Sequence, residues 1–124
     1  MAANKIIRIG PVALTTTLTT NIFNPPTLTG GVVTGTSNSN TYVIIRHIRI
    51  VNKTSSAATF SLYVGATGAN TAGTEVIGLA NSVPANSFID WYGMLRLDVA
   101  DYLVGGAGTA TALTLQAEGE IGIA

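Results

Sequence analysis

Between Tyr42 and Val51, between Thr59 and Val64, and again from Thr111 to Ile123, apolar side chains recur with the period of two that marks a β-strand. In the first run Tyr42, Ile44, Ile48 and Ile50 fall on one face and Val43, Ile45 and Val51 on the other. Both faces are apolar, which predicts a central strand in which Arg46, His47 and Arg49 are the odd members. In the second run Ala58, Phe60, Leu62 and Val64 point inward while Thr59, Ser61 and Tyr63 point out, and residues 52–57 (NKTSSA) read as the turn of a hairpin leading into it. In the third, Leu113, Leu115, Ala117, Ile121 and Ile123 alternate with Thr114, Gln116, Glu118 and Glu120.

Between these runs the pattern predicts a loop at 65–73, a short strand at 75–79 and a second loop at 81–86. Two strand segments, 87–92 and 94–97, are expected to bend at Gly93, and 105–108 reads as a flexible glycine tip. One helical turn is expected near 99–103. Strands at this spacing, about 8 to 12 residues apart, indicate an all-β sandwich or barrel. The first forty residues have a different texture, rich in Thr, Asn, Pro and Gly, with Lys5 and Arg8 their only charges. Residues 5–9 and 12–18 read as short strands, because β-branched side chains favour extended backbone. Pro25 and Pro26 cannot donate to a ladder. The chain therefore divides into an extended N-terminal arm, 1–40, and a β-sandwich body, 41–124.

Length and composition narrow the function. A chain of 124 residues makes one domain. Charged residues are 10% of it, against about 25% usually, so Thr, Ser, Asn, Gly and Ala must finish the surface. Net charge is zero and no basic cluster is present, which disfavours nucleic acid and anionic membranes as partners. Little charge also means little repulsion between copies, and self-association is expected. There is no cysteine for a disulfide, a thiolate nucleophile or a thiolate metal site. No signal-peptide pattern is visible, and no apolar stretch approaches the roughly 20 residues that span a bilayer. A soluble protein made in the cytoplasm is expected.

Candidate chemistry is sparse. His47 is the single histidine, with no carboxylate near it in sequence, and reads as a strand histidine in a structural or interface hydrogen bond. Asp98 with Asp101, or Glu118 with Glu120, could form an acid-base pair, but a solvated face or an ion pair to Arg46, Arg49 or Arg96 is the better reading. The carboxylate spacing lacks the dense pattern of a calcium loop, so no metal is expected. Gly105, Gly106 and Gly108 are not followed by Lys-Ser/Thr or by a helix, and do not make a phosphate loop. Asn52-Lys53-Thr54 fits a glycosylation sequon without a secretory context. Trp91 and Tyr92 alternate faces, so one belongs to the core and the other is open to a contact. No enzyme, cofactor or metal centre is expected.

The segments HIRIVNKTSSAATFSLYVGATGANTAGTEVIG and SVPANSFIDWYGMLRLDVADYLVGGAG, with the closing TLQAEGEIGIA, resemble small virion proteins of tailed bacteriophages, among them capsid decoration or cement proteins. The resemblance covers about residues 41–124 and implies a jelly-roll-like β-sandwich. It further implies a non-enzymatic protein that binds the outside of an assembled shell, through the major capsid protein and as a homo-oligomer with a trimer favoured. The expected location is the virion surface. A tail, baseplate or fibre module would share this chemistry, and a carbohydrate-binding module would place Trp91, Tyr92, Tyr63 and Asp90 around a sugar. Ile6, Arg8, Ile22 and Phe23 are expected to dock on a neighbour, being residues of an arm with no local core to enter. Deleting the first 24 residues should then spare the fold. Arg46, His47 and Arg49 are expected to meet Glu118 and Glu120 across strands or subunits, and Trp91 and Tyr92 complete the candidate interface.

Overall fold

The computed structural model of the chain describes residues 5–23, 41–98 and 100–123, which form eight strands and no helix. They are β1 (Lys5–Ala13), β2 (Asn21–Phe23), β3 (Thr41–Asn52), β4 (Ala58–Gly65), β5 (Glu75–Val83), β6 (Phe88–Leu97), β7 (Tyr102–Ala107) and β8 (Leu113–Ile123). Sheet A has the order β1-β8-β3-β6 and sheet B the order β2-β7-β4-β5, with every pairing antiparallel. Successive strands pass from one sheet to the other, and only β4 and β5 are both consecutive and paired. This is the interleaving of a jelly roll, and the protein is an all-β sandwich.

The inner faces meet in one apolar layer. Sheet A contributes Val43, Ile45, Ile48, Ile50, Leu97, Leu113, Leu115 and Ile121; sheet B contributes Phe60, Leu62, Val83 and Leu103. Each side chain of this size, fully removed from water, stabilises the fold by about 1.5–3 kcal/mol. The faces of β3 are not those the alternation predicts. Its pairing shifts on both flanks between Ile45 and His47. Against β8 the shift inserts one residue, Arg46, which reverses the parity. Val43 and Ile45 before the bulge therefore share the core face with Ile48 and Ile50 after it, while Tyr42, Ile44, His47, Arg49 and Val51 face outward. Gly119 lies opposite Ile45 on one side and Ile7 on the other, and a Cβ there would overlap the Ile44 carbonyl oxygen. β8 accommodates the bulge only because it carries no side chain at that point.

Several expectations need correction. The division at residue 40 separates nothing in the described residues: β1 pairs with β8 along most of its length, and Ile7, Ile9 and Phe23 enter the common core. Deleting the first 24 residues would remove two strands, β1 and β2, and four core side chains, Ile7, Ile9, Leu14 and Phe23. Residues 24–40, with Pro25 and Pro26, lie outside the described residues. The extended segment ends at Ala13, so 12–18 is not a strand; 14–20 hydrogen-bonds alongside β7. Residues 52–57 do not close a hairpin, because β3 and β4 lie in different sheets. β5 continues to Val83, which is fully buried. Residues 105–107 form not a tip but part of β7, a central strand of sheet B. The expected helical turn is a tight turn in which the Asp101 N–H donates to the Asp98 carbonyl at 3.0 Å.

Asn52 closes β3 and is 1% exposed. Its amide donates to the carbonyls of Ser56 at 2.9 Å and Val83 at 3.1 Å, and its carbonyl accepts from the Thr54 N–H at 2.9 Å and hydroxyl at 2.7 Å. The sequon asparagine is an interior side chain that ties the 52–57 turn to β5.

Candidate functional site

The outward residues of sheet A form a distinctive surface. Among the described residues five large apolar side chains are exposed, Ile6, Val51, Phe88, Tyr92 and Met94, and alternation places all five on this one face. Cross-strand rows show how they interleave with charge. Ile6, Glu120, Ile44 and Arg96 make one row; Arg8, Glu118, His47 and Tyr92 make the next; Gln116, Arg49 and Asp90, then Thr114, Val51 and Phe88, follow.

The side chains lock one another in place. Arg49 grips Asp90 with two parallel bonds, Nε to Oδ1 at 2.7 Å and Nη2 to Oδ2 at 3.0 Å, and its guanidinium lies 4.3 Å over the Phe88 ring. His47 sits between two carboxylates, Nε2 at 2.9 Å from Asp90 and Nδ1 at 3.2 Å from Glu118, and stacks on Tyr92 with ring centres 4.8 Å apart. Arg46 contacts Glu120 through Nη2 at 2.9 Å, and Arg96 lies 4.6 Å over the Tyr42 ring while bonding Asp98. Surface ion pairs of this kind contribute only about 0–1 kcal/mol each to folding. Their effect is to hold long side chains in fixed poses, which lowers the entropy cost of docking against them.

Arg49 first and His47 second hold the Asp90 carboxyl at about 2, below its ordinary 3.8. A carboxyl depressed in the folded state stabilises that state above its unfolded pKa, and the contribution disappears as pH falls through the folded value. Stability tied to Asp90 is therefore expected to be complete above about pH 4 and to fade towards about pH 2. Urea midpoints of wild type and Asp90→Asn, measured across that window, should differ at the upper end and converge at the lower. Parallel curves would show that Asp90 is not held by these partners.

Eight of the residues selected from sequence come together on this face: Ile6, Arg8, Arg46, His47, Arg49, Tyr92, Glu118 and Glu120. Arg46 meets Glu120 and His47 meets Glu118, whereas Arg49 turns to Asp90. The other three point elsewhere. Phe23 is 7% exposed in the core, and Ile22 and Trp91 pack partly buried against it. The premise that the arm has no core to enter fails for Phe23. The sugar-site grouping is also dispersed, because Trp91 turns inward, Tyr92 outward, and Tyr63 is buried in sheet B. Phe88, Met94 and Val51 escaped selection, although Phe88 and Met94 share the parity of Tyr92 in the sequence.

Both ring nitrogens of His47 are occupied by carboxylates. Asp98 and Asp101 shape a turn, the Asp98 N–H donating to Asp101 Oδ2 at 2.9 Å. Among the described residues no group of three or more His, Asp or Glu is placed to hold a metal ion. What the face offers is contact. No protein-family model matches the chain, and no curated protein matches its sequence.

Proposed function

We propose that this protein is a non-enzymatic structural component of a bacteriophage virion, which docks the outer face of sheet A on the outer surface of the capsid and stabilises the shell. The observation that carries the reading is the gathering of every described large exposed apolar side chain on one face, set among Arg8, Arg46, Arg49 and Arg96. Aromatic residues, Met and Arg are the types enriched where proteins meet, and Lys is depleted there. No lysine is among the described side chains of this face. Four strands about 4.8 Å apart and ten residues long span roughly 600 Å², close to the roughly 800 Å² each partner contributes to a standard interface. The resemblance to cement proteins supplies the shell as partner.

The test is co-sedimentation of the purified protein with shells stripped of decoration, with isolated tails in parallel. Saturable binding to shells at a stoichiometry fixed by the lattice is expected. Binding to tails alone moves the protein to the tail, baseplate or fibre apparatus, and binding to neither rejects a virion role. The double variant Ile6→Asp/Val51→Asp alters the face at two exposed positions away from β6, and should weaken shell binding roughly 100-fold, since two hot-spot losses multiply.

A further inference from the structure

We propose that two copies of this chain pair through β6, antiparallel about a two-fold axis at Gly93, and so join their A sheets into one eight-stranded sheet. β6 is an edge strand: β3 flanks it on one side, and among the described residues no strand pairs with the other. An edge exposes unpaired N–H and C=O groups that another strand can complete. The other three edges are less suited. β1 contains Pro11, β2 is three residues long, and β5 holds Ile77 at a φ of 55°; a register shift does not set them apart, since β6 has its own against β3 between Leu95 and Tyr92. β6 offers ten residues without proline or lysine.

Its sequence is also matched to itself. With the axis at Gly93, Tyr92 stands opposite Met94 of the second copy, Trp91 opposite Leu95, Asp90 opposite Arg96 and Ile89 opposite Leu97. Each pair is complementary. Asp90 and Arg96 are opposite charges on the outer face, and directly opposed unlike charges stabilise a ladder while like charges weaken it. Tyr92 and Met94 are 72% and 65% exposed on that same face. Ile89, Trp91 and Leu95 are partly buried against the core and Leu97 is inside it, so the inward pairs continue the apolar layer across the junction. Neighbouring registers lose this. Moving the axis to Tyr92 sets Asp90 against Met94, and moving it to Met94 sets Asp90 against Asp98. Pairing also doubles the docking face, from roughly 600 to roughly 1,200 Å². That exceeds what one partner contributes to a standard interface.

An isologous contact closes at two copies, so it replaces the expected trimer with a dimer. Sedimentation equilibrium of the full chain should give a dimer, and a monomer or trimer overturns the proposal. Tyr92→Lys/Met94→Lys places cations opposite one another and should yield a folded monomer by circular dichroism; a persisting dimer means another surface is used. Register is read separately, because the native chain has no cysteine. Mixed under oxidation, Tyr92→Cys and Met94→Cys variants should form the mixed disulfide in preference to either symmetric one, since directly opposed Cα atoms are about 4.5–5.5 Å apart and disulfides need about 4.4–6.8 Å. A statistical 1:2:1 distribution, with only half of the product mixed, would reject the register. The inference does not depend on the shell as partner: a monomer that sediments with shells refutes the dimer alone, and a dimer that does not refutes the shell-binding role alone.

Discussion

Replacing Asn52 by leucine is expected to cost about 3 kcal/mol of folding stability, although the substitution adds apolar surface to an interior position. The side chain satisfies four hydrogen-bonding groups at once, the Thr54 N–H and hydroxyl and the carbonyls of Ser56 and Val83. A buried polar group stripped of its partner costs about 1–3 kcal/mol, and leucine strands several together. Asn52→Asp is a sharper test. It keeps the shape and the acceptor for Thr54, but turns a carboxylate oxygen towards two carbonyls in a place only 1% exposed. It should be at least as damaging at neutral pH and recover part of the loss when protonated. Urea unfolding of both variants decides the point; losses below about 0.5 kcal/mol would fall within the range of ordinary surface substitutions and show that the turn does not depend on this residue.

The second large effect is expected at Gly119, where one methyl group is enough. An added Cβ would overlap the Ile44 carbonyl oxygen and approach Ile45 Cα to 2.9 Å, and both are backbone atoms of the adjoining strand. A side chain can rotate away from such a contact, whereas a ladder has to part. Gly119→Ala should lose about 2–3 kcal/mol, the upper range for overpacking, and Gly119→Val should not give a cooperatively folded protein. Gln116→Ala, on the outer face of the same strand, should change stability by less than about 0.5 kcal/mol. Thermal unfolding followed by circular dichroism ranks the three. An alanine variant as stable as wild type would mean that β3 and β8 are not this close.

Both sites show what a single sequence can and cannot reveal here. Regular alternation was legible: in β8, Leu113, Leu115, Ala117 and Ile121 are buried while Glu118 and Glu120 face outward. β3 misled because one inserted residue at Arg46 reverses which side each later residue takes, and no residue type announces a bulge. Gly105 and Gly106 resemble a loop in composition, yet their lack of side chains is what allows a crowded central strand. Asn52 resembles a turn residue or a glycan acceptor, and only the sheet crossover brings Val83 to it. For the candidate site, the pairing of Arg46 and His47 with Glu118 and Glu120 was anticipated from charge. Asp90 as the partner of Arg49, and the exposed edge that carries Phe88, Tyr92 and Met94, required knowing that β6 lies beside β3.

The place of β8 between β1 and β3 also sets the order of events at the ribosome. Strands β1 and β3 share no ladder; β3 can pair first with β6, but β1 pairs only with β8 among the described strands and waits for residues 113–123. At about 5–20 residues per second the wait for β1 is roughly 5–20 s, during which it has no ladder partner among the described strands. The sandwich therefore closes late and nearly at once, by long-range pairing that is intrinsically slow. A nascent chain stalled anywhere before β8 is a substrate for holding chaperones and proteases, and a stop codon at residue 112 should send the product to the insoluble fraction.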